Sequence, residues 1–206
     1  MAVISIEVPI LNLVLASSSP RRAELLRQLQ LEFSICVSEV DETPLSNEAP
    51  ELYVRRLAQA KALAVLPLVA SDTLVLGADT VVSCMGQLLT KPLNPEHNRQ
   101  MLERLSGRSH EVFTGICVAS RSNCLTEVVR TEVEFGVIDD AALRGYVRIG
   151  EGMDKAGGYA VQGIGGIFVK RLVGSYSAVV GLPLAETESL LRRVGMDTWR
   201  SRLHEV

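Results

Sequence analysis

The chain has 206 residues, of which 47% are hydrophobic and 22% are charged, so it can bury a substantial core and is not a disordered protein. Its formal net charge is -3, and this balance provides no basic field that would indicate duplex DNA or RNA as a partner. No stretch approaches the roughly 20 apolar residues that a membrane span needs. Residues 1–9 include Glu7 and no basic segment, so we expect no leader, no membrane partner and a cytoplasmic location.

The cysteines and histidines do not suggest a metal site. No CxxC pair or zinc spacing connects the four cysteines, which we expect to be reduced and mostly buried in strands: Cys36, Cys84, Cys117 and Cys124. The histidines lie far apart in the sequence, and we expect them on the surface or at helix caps: His97, His110 and His204.

The first element is an apolar strand, residues 13–16, that leads through three serines into an amphipathic helix. Ser19 is a natural N-cap and Pro20 suits the first helical turn, so the free amides and the positive end of the helix dipole face outward. Arg21 and Arg22 follow at once, and arginine makes two-pronged contacts with phosphoryl oxygens. The junction is therefore suited to phosphate, and the alternative is a well-capped surface helix with solvated arginines.

The next elements alternate between strands and helices. A strand at residues 33–37 precedes an acidic, turn-rich loop at 38–44, and a helix rich in strong helix formers ends near Pro67. A buried strand at 74–83 is interrupted by the polar cluster of residues 77–80. Residues 85–87 then form a turn into a short strand at 88–90.

The second half continues with a helix from Asn94 or Pro95 to Leu105 and two long strands, 110–119 and 125–137, which could form an extended hairpin arm. A helix at 139–149 is followed by a glycine-rich loop, 150–166, of a kind that is commonly functional. The remaining elements are a strand at 167–173, a turn or short helix at 174–183 and a closing helix at 184–194.

Two common nucleotide-binding signatures are missing. There is no Walker A sequence, and the glycines at 163–166 precede a strand instead of opening a helix, so they fail the Rossmann context. What remains is a set of isolated polar residues expected at strand ends, which together would suit a metal and a triphosphate: Ser17, Arg21, Arg22, Glu42, Lys61, Asp79, Thr80, Lys91 and Gln162.

Hydrolysis of a phosphoanhydride requires neutralisation of the phosphate charge and a water oriented at one phosphorus. Mg²⁺ prefers one or two carboxylates and keeps several waters, so Glu42 and Asp79 would be sufficient protein ligands. Asp79 could also accept a proton from the attacking water, so its base and ligand roles are not separable from the sequence. The alternatives are that Asp79 is structural, bonding backbone amides, and that Glu42 is merely solvated.

Ten ordered motifs between residues 13 and 192 make the chain similar to a known family: residues 15–22 (LASSSPRR), 40–43 (VDET), 56–62 (RLAQAKA), 77–82 (GADTVV), 91–92 (KP), 105–107 (LSG), 114–115 (TG), 154–159 (DKAGGY), 162–163 (QG) and 181–184 (GLPL). They resemble the Maf family of nucleoside triphosphate pyrophosphatases, also called septum formation inhibitor-like proteins. The resemblance implies an α/β fold like that of the inosine triphosphate pyrophosphatases, with an elongated mixed β-sheet, flanking helices and two lobes around a cleft. It implies one domain over 1–206, with 1–10 as an N-terminal extension, and a homodimer.

The resemblance also implies a reaction and a set of site residues. A nucleoside triphosphate and water would give the monophosphate and pyrophosphate, with a divalent cation, Mg²⁺ or Mn²⁺, as cofactor. Asp79 matches the position of the proton acceptor, and Glu42 would join it in holding the metal. The phosphates would be bound by Ser17, Arg22, Lys61 and Lys91.

Branches of the family differ at three positions, which correspond here to Arg21, Thr80 and Gln162. This set resembles the dTTP/UTP branch, whereas the branch acting on 7-methyl-GTP usually has Trp, Gln and Glu there. The amide of Gln162 offers both a donor and an acceptor, which can match the O4 and N3–H edge of uracil or thymine. The alternatives are a 7-methyl-GTP or broad-specificity pyrophosphatase and a non-enzymatic, nucleotide-binding regulator of cell division.

Overall fold

The computed structural model describes residues 11–37 and 39–203. Within these ranges the β-strands are β1 (Asn12–Leu15), β2 (Ser34–Ile35), β3 (Thr73–Cys84), β4 (Gln87–Leu89), β5 (Ser109–Ala119), β6 (Cys124–Phe135) and β7 (Val169–Val173). The α-helices are α1 (Pro20–Gln28), α2 (Pro50–Val65), α3 (Pro95–Leu105), α4 (Asp140–Ile149), α5 (Tyr176–Val180), α6 (Leu184–Arg193) and α7 (Thr198–Leu203). Short 3-10 turns are Leu66–Leu68, Ala156–Gly158 and Ile164–Phe168.

One mixed sheet connects the strands in the order β2-β1-β3-β5-β6-β7, with β4 paired to β3. β1 is parallel to both of its neighbours, and all the other pairings are antiparallel. β5 accompanies β3 along most of its length, so β1 and β4 share the opposite edge of β3. β1 leaves that edge after Leu76 and β4 joins it only at Val82, which leaves a gap between them in the described part of the chain.

Alternation along the strands builds a core on each face of the first lobe, because successive strand side chains point to opposite faces. Leu15 and Leu76 pack with α1 and α6 on one face. Val14 and Val75 pack with α2 on the other. α2 lies against the sheet backbone itself, since a Cβ added at Gly77 would overlap the carbonyl oxygen of Ala58.

The second lobe has its own core around the far ends of β3, β5 and β6. α3 and α4 cover it, and an aromatic group fills its centre: Phe135, Tyr146, Tyr159 and Phe168. The long strands β3 and β5 run through both lobes, and the cleft opens between the lobes. The predicted mixed sheet with flanking helices and two lobes is therefore confirmed.

Most predicted elements are present within a few residues of their expected bounds, and four differ. β2 has two residues instead of five, and β7 begins at Val169 because the preceding residues wind into a 3-10 turn. β5 and β6 form the expected long antiparallel hairpin, but it is not an arm, because it lies inside the sheet with strands on both sides. α7 was not predicted. The extension at 1–10 and His204 lie outside the described residues.

All four cysteines are free thiols, and Cys84 and Cys117 are buried in strands. The expectation that most of them are buried is wrong, since Cys36 is half-buried and Cys124 is exposed. His97 lies in the first turn of α3 and accepts a hydrogen bond from the backbone N of Leu93, as a capping residue would. The prediction for His110 is wrong, because its ring is buried in the second lobe beneath Tyr159. No helix among residues 11–37 and 39–203 has the length and apolar character to cross a membrane.

Candidate active site

A cleft of about 540 Å³ lies between the lobes, next to the gap in the sheet. Both lobes line it, and it contains every site residue that the sequence predicts: Ser17, Arg21, Arg22, Glu42, Lys61, Asp79, Thr80, Lys91 and Gln162. The expectation that these residues stand at strand ends is wrong for five of them, which lie inside a strand or a helix. Asp79 and Thr80 lie in the middle of β3, Lys61 is on α2, and Arg21 and Arg22 are in the first turn of α1. Asp79 and Thr80 reach the cleft because β1 pairs with β3 only as far as Leu76 and leaves the next part of that edge open.

Lys61 connects the two candidate metal ligands. Its Nζ atom lies 2.6 Å from Oδ1 of Asp79 and 2.7 Å from Oε1 of Glu42. Lys61 and Asp79 are both buried, whereas Glu42 comes from the exposed loop that precedes α2. No backbone amide in the described part of the chain donates to Asp79, which argues against the purely structural alternative for this carboxylate.

The two carboxylates differ electrostatically. Burial raises the pKa of Asp79 above its ordinary value, and the charges of Lys61 and Arg22 oppose that rise. Partial burial also acts to raise the pKa of Glu42, but its hydrogen bond to Lys61 and the charges of Lys61 and Lys91 outweigh it, so this pKa is lowered. The buried carboxylate is the better proton acceptor of the two, since a raised pKa brings a base closer to neutral pH.

The two carboxylates in the cleft are the donor type that Mg²⁺ prefers. The described residues include no cluster of three or more His, Cys, Asp and Glu side chains arranged to hold a metal. Glu42 and Asp79 nevertheless both contact Nζ of Lys61, and Oδ2 of Asp79 has no hydrogen-bond partner among residues 11–37 and 39–203. Because Mg²⁺ takes one or two carboxylates and fills its remaining positions with phosphate oxygens and water, this donor set is sufficient.

Arg22 is held from three sides at the start of α1. Its Nε donates to the carbonyl oxygen of Gly181 at 2.9 Å, and its two terminal nitrogens donate to Ser17 Oγ and Thr80 Oγ1, each at 3.3 Å. Ser19 occupies the N-cap position with Pro20 behind it, but the expected side-chain cap is absent. Instead, Ser17 Oγ accepts from the backbone N of Ser19, which orders the turn before the helix.

Thr114 determines the orientation of the Thr80 hydroxyl. Thr114 Oγ1 donates to the carbonyl oxygen of Ala178 at 2.7 Å, so it can only accept from Thr80 Oγ1, 3.0 Å away. Thr80 therefore donates to Thr114 and accepts from Arg22. Thr114 belongs to the motif at residues 114–115, but the sequence alone predicted no role for it.

Arg21 joins the two lobes across the cleft. Its Nη1 lies 2.8 Å from Oδ2 of Asp154, and Lys155 Nζ lies 2.5 Å from Oδ1 of the same carboxylate. Some burial raises the pKa of Asp154, but the hydrogen bonds from Lys155 and Arg21 outweigh it and lower the pKa to about 2. Asp154 and Lys155 also line the cleft. No role was predicted for them, although both begin the motif at residues 154–159.

Two predicted residues lie at the rim. Lys91 follows β4 and is exposed, with its Nζ atom 3.9 Å from Oε2 of Glu42. Gln162 is exposed in the glycine-rich segment between buried Tyr159 and the 3-10 turn Ile164–Phe168. The rim therefore carries one more cation and one neutral amide.

Comparison with known proteins shows the family of the chain. Residues 12–194 match the Maf-like protein family. The chain belongs to the Maf family. A Maf relative from Pseudoalteromonas atlantica, named dTTP/UTP pyrophosphatase, is 49% identical over 187 residues, which are 89% of this chain and 97% of the relative. Relatives with the same name from Yersinia pestis and Escherichia coli O157:H7 are 49% and 48% identical, over 87% of this chain and 91% of each relative.

Among solved structures, the Staphylococcus aureus Ham1 protein aligns with this Maf chain at a TM-score of 0.42 and 14% identity. The alignment covers 60% of this chain and 71% of Ham1.

Proposed function

We propose that this Maf protein hydrolyses dTTP and UTP to the nucleoside monophosphate and pyrophosphate by cleaving the bond between the α- and β-phosphates. The observation that carries the proposal is the convergence of nine sequence-predicted residues in one cleft. The names of relatives that are 48–49% identical support the choice of nucleotide. A nucleoside triphosphate is therefore the proposed partner, and a homodimer is proposed from the family resemblance alone.

The phosphates would lie against the cationic side of the cleft. Arg22 and Lys61 present buried or half-buried cations whose positions are already determined by other contacts, so little reorganisation is needed when a polyanion binds. Ser17 and the free amides at the start of α1 add neutral donors at the positive end of a helix dipole. Lys91 adds an exposed cation from the rim.

Asp79 would accept the proton of the attacking water. It is buried, it faces the cleft through the gap in the sheet, and one of its oxygens is free to accept. Glu42 and Asp79 would hold a divalent cation, which would supply neutralisation of phosphate charge when bound. Lys61 keeps the two carboxylates together until then.

Base selection would depend on Arg21, Thr80 and Gln162. The Thr80 hydroxyl is engaged by Thr114 and Arg22, so Thr80 would act through the placement of Arg22. Gln162 has an exposed amide that can donate to O4 and accept from N3–H of uracil or thymine. Arg21 would limit the space beside the base from its salt bridge to Asp154.

The test is pyrophosphate release by the purified chain with dTTP, UTP, CTP, GTP, ATP and 7-methyl-GTP, with Mg²⁺, Mn²⁺ or EDTA. We expect dTTP and UTP to be preferred, activity to disappear in EDTA, and Asp79→Asn to lower kcat by about 100-fold or more. Asp72→Asn is the matched control, since Asp72 is an exposed residue just before β3 and outside the cleft.

Other outcomes would overturn the proposal. Preference for 7-methyl-GTP would show that Arg21, Thr80 and Gln162 do not select dTTP and UTP. Nucleotide binding without pyrophosphate release from any nucleotide would favour the regulatory alternative. Light scattering of the same preparation would test the homodimer.

A further inference from the structure

The glycine-rich loop after α4 contains Glu151, whose carboxylate contacts a later segment of the same loop, residues 160–165. Its Oε1 accepts from the backbone N of Ile164 at 3.0 Å. Its Oε2 accepts from the backbone N of Gly165 at 3.0 Å and from the hydroxyl of Tyr146 at 2.8 Å. Three donors thus meet one carboxylate that is not among the described residues lining the cleft.

Two of these donors begin the 3-10 turn Ile164–Phe168. The amides at the start of a helical turn have no partner within the turn and need an acceptor from elsewhere. Gly163 occupies the N-cap position and has no side chain to offer one. Glu151 supplies the missing acceptor from 13 residues earlier in the chain.

Tyr146 connects Glu151 to Ala160, which lies at the other end of residues 160–165. Its hydroxyl oxygen accepts from the backbone N of Ala160 at 3.1 Å while donating to Glu151. The Tyr146 ring packs against Phe168 in the core of the second lobe, with 5.3 Å between ring centroids. Both ends of residues 160–165 are therefore anchored to one rigid group, and Gln162 lies between the anchors.

The glycines of the segment fit this close approach. A Cβ added at Gly163 would overlap Oε1 of Glu151, and one added at Gly165 would lie 2.9 Å from the hydroxyl oxygen of Tyr146. Neither glycine has a positive φ, so the need for glycine comes from space and not from backbone conformation.

We infer that Glu151 is a positioning residue for substrate selection: it holds the segment that carries Gln162, and thereby places the Gln162 amide against the pyrimidine edge. The inference rests on the proposed function, because it assigns Gln162 to the base of dTTP or UTP. Glu151 acts through the backbone of its neighbours and touches no substrate.

The first test is Glu151→Gln, measured as kcat and KM for dTTP, UTP and CTP. Glutamine keeps the size of the side chain but has one acceptor oxygen, and its NH₂ group would face an N–H donor. Loss of one such bond predicts a fall of about fivefold or more in the dTTP-to-CTP ratio of kcat/KM. We expect the fall to come from a higher KM for dTTP, with kcat changed by less than about threefold.

Tyr146→Phe is the second variant, since it removes only the hydroxyl that links Glu151 to Ala160. It should shift the same ratio in the same direction. Glu103→Gln and Tyr176→Phe are matched controls at exposed positions on α3 and α5 and should leave the ratio unchanged. Hydrogen exchange followed by mass spectrometry should be faster at residues 160–166 in both test variants and unchanged in both controls.

An unchanged dTTP-to-CTP ratio in Glu151→Gln, alongside a lowered ratio in Gln162→Ala, would overturn the inference. An equal loss of kcat with every nucleotide would do the same, since it would indicate a merely structural role. If Glu151→Gln does not fold, Tyr146→Phe decides by the same ratio. Failure of the proposed function is distinguishable, because it appears in the unmodified chain as no pyrophosphate from dTTP or UTP, and that result would overturn both.

Discussion

The Nζ atom of Lys61 lies 2.6 Å from Oδ1 of Asp79, and each side chain is only 8% exposed. This pair sits where the sheet has lost its β1 neighbour, so a buried ion pair borders directly on the cleft. The charge of Lys61 opposes the rise in the pKa of Asp79 that burial causes.

Lys61→Met should lower the free energy of unfolding by about 3 kcal/mol, because removal of one partner leaves the other charge buried and unpaired. The double variant Lys61→Met/Asp79→Asn should recover a large part of that loss. Urea denaturation at pH 7 measures both. Lys91→Met is the control, since Lys91 is exposed and should cost less than about 0.5 kcal/mol. A double variant as unstable as Lys61→Met would contradict the pairing argument.

Arg56→Ala should loosen the loop that carries Glu42. Arg56 contacts both carboxylate oxygens of Glu48 at 2.7 Å and donates to the carbonyl oxygen of Thr43 at 3.2 Å. Loss of these bonds should raise KM for the magnesium complex of dTTP about fivefold, with a smaller effect on kcat. Steady-state kinetics measures the change, and Glu48→Gln should reproduce part of it.

Arg55→Ala is the matched control for that experiment, because Arg55 is the adjacent residue on α2 and reaches Thr126 on the sheet instead of the loop. An equal rise in KM for both arginine variants would show that the effect comes from α2 in general and not from the loop.

Gly115→Ala should destabilise the fold, because a Cβ there would overlap the carbonyl oxygen of Val54 on α2. Overpacking of this kind costs about 1–3 kcal/mol in the free energy of unfolding. It should also lower pyrophosphatase activity at temperatures where the chain is folded, since α2 carries Lys61. Gly145→Ala is the control: it lies in helix α4 with open space around its Cβ and should stabilise by up to about 1 kcal/mol. Thermal unfolding of the two variants measures both changes in stability, and a Gly115→Ala variant as stable as Gly145→Ala would contradict the prediction.

His110 should make stability fall in acid. Burial lowers its pKa to about 4, whereas an unfolded chain has a histidine pKa of about 6.5. Between these values the unfolded state binds more protons than the folded state, so stability is complete above about pH 6.5 and decreases as the pH falls towards 4. From pH 7 to pH 5 this one group should remove about 2 kcal/mol from the free energy of unfolding.

His110→Gln isolates that contribution, since its neutral amide can still bond the hydroxyl of Tyr159. Urea denaturation at pH 7 and pH 5 should show a smaller decrease in the variant than in the unmodified chain. His97→Gln is the comparison variant, in which a histidine outside the buried core is replaced. Equal decreases in His110→Gln and the unmodified chain would mean that His110 is not the responsible group.

The sequence by itself determined the local elements and the chemical content of the cleft. Pro20 begins α1, and Met85 and Gly86 turn β3 back into β4 with positive φ. Asn94 caps the start of α3, since its side chain accepts from the backbone N of His97. Capping, turn chemistry and hydrophobic period act over a few residues, so they can be recognised without the fold. The site residues also stood out, as isolated polar groups within apolar runs.

Only the tertiary structure decided how those groups meet. The gap that exposes Asp79 exists because β1 ends after four residues while β3 continues for twelve, and strand pairing depends on partners far apart in the chain. The burial of His110 and the contacts of Glu151 have the same origin, since each depends on segments that packing alone brings together. Residue types can therefore indicate which chemistry is available, but the partners of a buried group are determined by topology and packing.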